Sequence, residues 1–321
     1  MKSGSEKSQE KPIELIIHNI HDHGVAIMDM WMDEVTTRSQ GRVRFTKTIG
    51  EDQELIKAAD IIRDVPAMAS RYPLLNLVQV PFVFPSSTVG SRVIAQLYAE
   101  FSELRDELSD VKVVGLGIGA SLAIFSNKAW GPIRTIEDFK GARTRSLALI
   151  DGVIEALGAK PVHTGYLEMG RLLETGQIDA AVLGVMPGHM FKLADGAAPY
   201  CTLAGDRSIT MHPMRIYMKW DTWNSLQPDI QDVIEEIGPT GSDCWYAVRN
   251  GIDFDIHLDE ALDYIKQKGE LIIISPEEQE RWHQLIQPHL DSAVNDVEAR
   301  GLPARKFFNR MIELVAEYSK Q

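Results

Sequence analysis

Short apolar runs alternate with amphipathic helical patterns along most of this chain, and that alternation restricts it to an α/β architecture. Strand candidates are Leu15–Ile20, Arg42–Thr48, Asp60–Ile62, Val111–Ile118, Pro161–Thr164, Ala180–Leu183, Arg215–Trp220 and Glu270–Ile274. Between them Val25, Met28, Trp31, Met32 and Val35 recur at helical spacing, as do Met169, Leu172 and Leu173. Gly41 and Gly176 stand where those helices should stop. At 321 residues, 44% of them hydrophobic, the chain is about two domains long by the usual size prior and can bury a core in each.

The last third turns helix-rich. Ser275–Glu278 reads as a capping box, with Pro276 at the first helical position and Glu278 placed to answer the Ser275 cap, opening a helix that carries Trp282, Leu285 and Ile286. Gly301–Pro303 separates it from another helix whose Phe307, Phe308, Met311, Ile312 and Val315 form an apolar stripe. These are packing signals.

Composition narrows the function classes. With 46 acidic and 33 basic residues the net charge is -13, which disfavours nucleic acid and anionic membrane surfaces as partners. An anionic ligand would need a local positive site. Cys201 and Cys244 fit neither a disulfide-dense scaffold nor a multi-Cys zinc site, and a single bridge between them stays open. The longest apolar run, Leu74–Phe84, is interrupted by Asn76, Gln79 and Pro81 and is too short to span a bilayer. Residues 1–12 read as a flexible leader without the apolar core of a secretory signal; a cytoplasmic protein and one whose signal has been removed both fit.

Few constellations suggest chemistry. Gly115, Gly117 and Gly119 follow a strand and superficially resemble a dinucleotide fingerprint, but Ser121–Phe125 look extended and no acidic residue closes a second strand, so a structural turn is expected. His18, His21 and His23 crowd the loop after the first strand without a Cys or Glu to complete a metal set; they read as solvated or hydrogen-bonded loop residues, or as facing a small ligand. No cofactor or metal is expected. Thr135–Gly141 reads as a short capped helix ended by glycine, and Ala142–Arg145 as a short strand. Ser146 then caps a helix through Leu147, Ile150, Val153 and Ile154 that stops at Gly158. Arg145 thus stands at a strand end before a helix N-terminus, where a guanidinium fork and unpaired N–H groups suit a carboxylate. On local chemistry alone, an arginine there is more often a surface residue.

Taken in order, Gly41–Val43, Leu77–Ser86, Phe125–Lys128, Ile136–Gly141, Arg143–Arg145, Leu157–Pro161, Glu168 and Leu173–Asp179 resemble the dicarboxylate-binding type of solute-binding subunit of TRAP (tripartite ATP-independent periplasmic) transporters, over nearly the whole chain. The resemblance implies a two-lobed periplasmic binding protein fold, each lobe a mixed sheet flanked by helices and the two joined by crossing hinge segments. Residues 13–123 plus 212–250 would form lobe I, and 124–211 plus 251–321 lobe II with the C-terminal helices. It further implies a small organic acid ligand, integral membrane transporter subunits as partners, no enzymatic activity, and a periplasmic or lipid-tethered location with the signal peptide absent from this sequence.

The same resemblance places the substrate carboxylate on Arg145 and an aromatic, Tyr166, over the ligand. Arg63 and the His21 loop fall near the cleft in the other lobe, and Asn19 and Asp206 complete the expected set. Two positions depart from the family pattern: Leu183 stands where an asparagine commonly helps to fix the ligand, and Leu122 where sugar-acid binders carry a second arginine. Both remove donors that a polyhydroxylated acid needs. The expected ligand is therefore a monocarboxylate with an apolar or aromatic body, a small sulfonate being the nearest alternative. The rival classes are a ligand-sensing module on the same fold and, further off, a nicotinamide-dependent oxidoreductase using the Gly115 segment.

Overall fold

The structure, a computed structural model, describes residues 11–20, 25–66, 71–147, 150–205 and 208–320, with the backbone alone at Ala120 and Tyr166. The strands are β1 (Ile13–Asn19), β2 (Val43–Ile49), β3 (Ile61–Asp64), β4 (Lys112–Ser126), β5 (Arg143–Arg145), β6 (Lys160–Val162), β7 (Ala180–Gly184), β8 (Tyr200–Leu203), β9 (Met211–Met218) and β10 (Glu270–Ile273). They join in the order β2-β1-β3-β9-β4-β7-β5-β6, with β8 pairing β4 and β10. β1, β2 and β3 are parallel to one another, as are β5, β6 and β7, while β4 and β9 run antiparallel to their neighbours.

β4 holds the two halves together. Its first part pairs with β9 from Lys112 to Ser121, and its last part pairs with β7 from Leu122 to Ser126 and with β8 from Ile124 to Ser126. The expected turn at Gly115–Gly119 is therefore corrected: these glycines lie inside a 15-residue strand. The reason is steric. A Cβ at Gly115 would stand 2.8 Å from the Tyr246 ring, and one at Gly117 would stand 2.5 Å from Asn250 Nδ2. Glycine lets the helix Trp245–Lys268 lie directly on the strand, the use of strand glycine where another backbone element approaches closely. Asn250 then ties the joint, donating to Ser91 Oγ and to the Ile118 carbonyl at 2.9 Å each.

The helices follow the apolar spacing. Ile27–Arg38 buries Ile27, Met28, Trp31 and Val35 in one cluster with Ile230 and Ile234, and Gly41 adopts φ +78° just beyond it. The Thr135 box forms with Asp138. At Ser275 only half of the expected box forms: Ser275 Oγ accepts from Glu278 N, but the Glu278 carboxylate turns away to accept from Ile136 N at 2.6 Å and Trp282 Nε1 at 2.9 Å. Glu278 thereby pins the helix Pro276–Glu298 to the start of the helix Ile136–Phe139, and Trp282 stacks on Phe139. The final helix, Ala304–Tyr318, buries Phe307, Met311, Leu314 and Tyr318, and Arg310 bridges to Glu100 on the helix Ser87–Glu100. Cys201 and Cys244 are both free. Among the described residues, no helix is long and apolar enough to cross a membrane.

One packing detail carries a pH prediction. Glu107 caps the short helix Pro73–Asn76, accepting from Leu74 N at 2.7 Å and Leu75 N at 3.1 Å, yet burial pushes its pKa up to about 7. Between the unfolded value near 4.5 and about 7 the native state holds a proton that the unfolded chain has lost, so this group's contribution to stability falls as pH rises through that window. Glu107→Gln, which cannot ionise, should therefore gain melting temperature relative to wild type between pH 5 and pH 7.5. A constant difference across that range would contradict the assignment.

Candidate functional site

The sheet directs two sets of strand ends at one place. Along β3 toward Asp64 the register advances on β9 from Met218 to Arg215 and on β4 toward Ser121; along β7 toward Gly184 it advances on β4 from Ser126 to Leu122. The carboxyl ends of β1 and β3 on one side, and of β5 and β7 on the other, thus converge on residues 119–122, where β4 passes from one half to the other. Ligand crevices of open α/β sheets lie at such carboxyl ends.

On the second half stands Arg145, the last residue of β5, only 6% exposed. Its Nη1 donates to the Val182 carbonyl at 3.4 Å. Arg143, two residues earlier, acts as a latch that fixes β5 beside β7, since the Asp179 carboxylate accepts from its backbone N, its Nε and its Nη2 at 2.8, 2.9 and 2.6 Å. Asn127 acts likewise, donating to the Leu173 and Ile178 carbonyls. The Ser146 hydroxyl bonds the carboxylate of Asp151, the first residue of the α-helix Asp151–Ala156.

Leu183 and Leu122 are both buried, but they lie on opposite faces of the sheet. Arg145 registers with Ala181, so Arg145, Ala181 and Leu183 share one face. Leu122 registers with Gly184 and packs with Ile124 and Val182 on the other.

On the first half, Asn19 and Arg63 are register partners at the ends of β1 and β3, and Arg63 Nη1 donates to Asn19 Oδ1 at 3.2 Å. Arg63 is fully buried, its guanidinium 5.8 Å from the Phe254 ring centre. Tyr246 is pushed up to about 12 by burial, with the Arg63 charge acting the opposite way. His18 lies within β1 rather than in a loop, its Nε2 on the Gly50 carbonyl at 2.7 Å and its Nδ1 on Thr48 Oγ1 at 2.8 Å.

Three residues at the crossing carry no signal in the sequence that marks them. Arg215 forms a two-pronged pair with Asp64, at 2.8 and 3.0 Å, between the rings of Tyr72 and Tyr217. Burial opposes its charge, but the Asp64 hydrogen bonds and charge prevail and hold its pKa above the usual arginine value. His212 places Nδ1 2.6 Å from Gln79 Oε1. Burial, assisted by the nearby positive charge of Arg145, pushes the His212 pKa down to about 4, so the ring is neutral at pH 7. His212 as a residue is half-buried, whereas its strand neighbours Met211 and Pro213 are buried.

Tyr166 begins a short 3-10 turn, Tyr166–Glu168. His21, His23 and Asp206 lie outside the described residues. No group of three or more metal-ligating side chains occurs among the described residues.

A family model for bacterial extracellular solute-binding protein, family 7, matches residues 23–296. Among solved structures, a TRAP periplasmic solute-binding protein of Desulfovibrio salexigens in an open complex is 23% identical, with a TM-score of 0.81 over 95% of this chain and 96% of that chain. A marine metagenome TRAP solute-binding protein specific for aromatic acid ligands, with 3-hydroxybenzoate, is 20% identical, with a TM-score of 0.84 over 96% and 99%. One from Bordetella bronchiseptica with bound mandelate is 18% identical, with a TM-score of 0.84 over 96% and 100%. At these identities the likeness is one of fold, and it agrees with the two-lobed α/β architecture.

Proposed function

Because the chain belongs to the bacterial extracellular solute-binding protein family 7, we propose that it captures a monocarboxylate with an apolar or aromatic body between its lobes and hands it to the membrane subunits of a TRAP transporter. The observation that carries this reading is Arg145, a buried guanidinium at a strand end that faces the crossing of the two halves. A fork of this kind holds a carboxylate through two parallel hydrogen bonds. Leu183, on the Arg145 face, offers no donor, so a ring or alkyl body is favoured over a polyol. The ligands of the aromatic-acid and mandelate binders have that character.

Capture needs no bond to break. Ligand bridging both halves favours the closed arrangement by its differential contacts, and the site works outside the cytoplasmic membrane. Denaturing the purified protein and identifying any released small molecule by mass spectrometry tests the class without a guess. A thermal-shift panel of aromatic, aliphatic and sugar acids follows. Tight binding of a sugar acid with no response to the other two groups overturns the reading.

A further inference from the structure

The polar side chains at the crossing form a relay whose direction is fixed at one end. The Tyr72 carbonyl can only accept, so the Asn76 atom 2.6 Å from it is the amide nitrogen. Asn76 Oδ1 then faces Gln79 at 2.8 Å and requires the Gln79 amide nitrogen as donor. Gln79 Oε1 is left toward His212 at 2.6 Å and requires a proton on Nδ1. The amide orientations and the histidine tautomer follow from the backbone carbonyl, without a free choice at any step. Thr210 Oγ1 donates to the Gln79 carbonyl at 2.5 Å and holds the relay against the strand that carries His212. A neutral imidazole with its proton on Nδ1 presents Nε2 as a lone-pair acceptor.

Resting on the reading of Arg145 as carboxylate anchor, we propose that His212 is a specificity residue whose Nε2 accepts the hydroxyl proton of the bound acid, so that this protein selects hydroxycarboxylates over their deoxy counterparts. His212 follows Met211, the register partner of Ser121 where β4 passes between the halves, and as a residue it is half-buried, with the Arg145 charge near enough to bear on it. A ligand held by the guanidinium is thus placed to meet the acceptor. Neither arginine can discriminate in this way, because a guanidinium only donates. One acceptor for one hydroxyl also agrees with a cleft short of the donors that a sugar acid requires.

Calorimetric titration of three matched pairs tests this: benzoate and 3-hydroxybenzoate, phenylacetate and mandelate, propionate and lactate. In the wild type the hydroxylated member of at least one pair should bind about tenfold more tightly or better, the gain of a buried hydrogen bond made by one ligand alone. His212→Phe should bring that ratio to about one; it also removes the Nδ1–H donor to Gln79, so the ratio within each pair, rather than either Kd alone, is the readout. Arg145→Ala should weaken both members alike. Nitrogen-15 NMR of the imidazole should show the Nδ1–H tautomer in the unliganded protein, and Gln79→Leu should release it. A ratio that survives in His212→Phe, pairs that all bind equally to wild type, or an Nε2–H tautomer overturns the hydroxyl reader alone. Full binding of both members by Arg145→Ala overturns the anchor reading, and failure of all six acids to bind overturns both.

Discussion

Arg145→Ala is expected to remove most of the ligand-induced rise in melting temperature. At free ligand a thousandfold above Kd, binding to the native state adds about 4 kcal/mol, and for a chain of this size each kcal/mol moves Tm by roughly 2–4 °C. The wild type should therefore shift by roughly 8–16 °C. Truncating one partner of a buried, hydrogen-bonded charge pair costs about 2–5 kcal/mol of affinity. A loss near the upper part of that range raises Kd about a thousandfold, which leaves only RT ln 2, about 0.4 kcal/mol, at the same ligand concentration. The shift should fall to roughly 1–2 °C.

Unliganded melting should move far less, because deleting a guanidinium that is 6% exposed also removes the cost of keeping that charge from water. Arg145→Lys keeps the charge but not the fork, and an intermediate response is expected. A full shift in the alanine variant would remove Arg145 as the anchor.

The sequence shows β1 and β7 because they are short apolar runs bounded by turn residues, and the helix Ile27–Arg38 because its buried positions recur every three or four residues. It misplaces β4 because a glycine that yields to a neighbour reads like a glycine that turns. The neighbours here are Tyr246 and Asn250, far along the chain, where no local window reaches. β9 begins at Met211 rather than Arg215 because Pro213 interrupts its pattern.

The site divides in the same way. Arg145 is legible as a cation at a strand end. The sequence marks Asn76 and Gln79 only as interruptions of an apolar run. Their role depends on His212, which meets Gln79 through tertiary packing rather than spacing. Likewise Asp64 and Arg215 become a pair only when β3 lies beside β9.

Gly251→Ala should destabilise the protein by about 1–3 kcal/mol, against the direction set by helix propensity. Gly251 lies inside the helix Trp245–Lys268, where alanine would by itself gain about 1 kcal/mol. Packing decides otherwise. A Cβ at Gly251 would stand 2.3 Å from Thr88 Cα, 2.8 Å from Thr88 N and 3.0 Å from Ser87 O, all backbone atoms that no rotamer change can move. The two helices must separate, and their separation loosens Asp255, one turn on, whose carboxylate accepts from Ser87 N at 2.8 Å, Thr88 N at 3.0 Å and Thr88 Oγ1 at 2.6 Å. Hydrogen bonds to a charged group contribute about 1.5–3 kcal/mol each, so weakening them outweighs the gain in propensity. Gly170→Ala supplies the control, since its Cβ would meet only Leu193 Cδ2 at 4.0 Å in the helix Met169–Glu174. That variant should be stabilised by about 0.4–1 kcal/mol. The same chemical change should thus move denaturant midpoints in opposite directions at the two positions, and a shared sign would refute the close-approach account of Gly251.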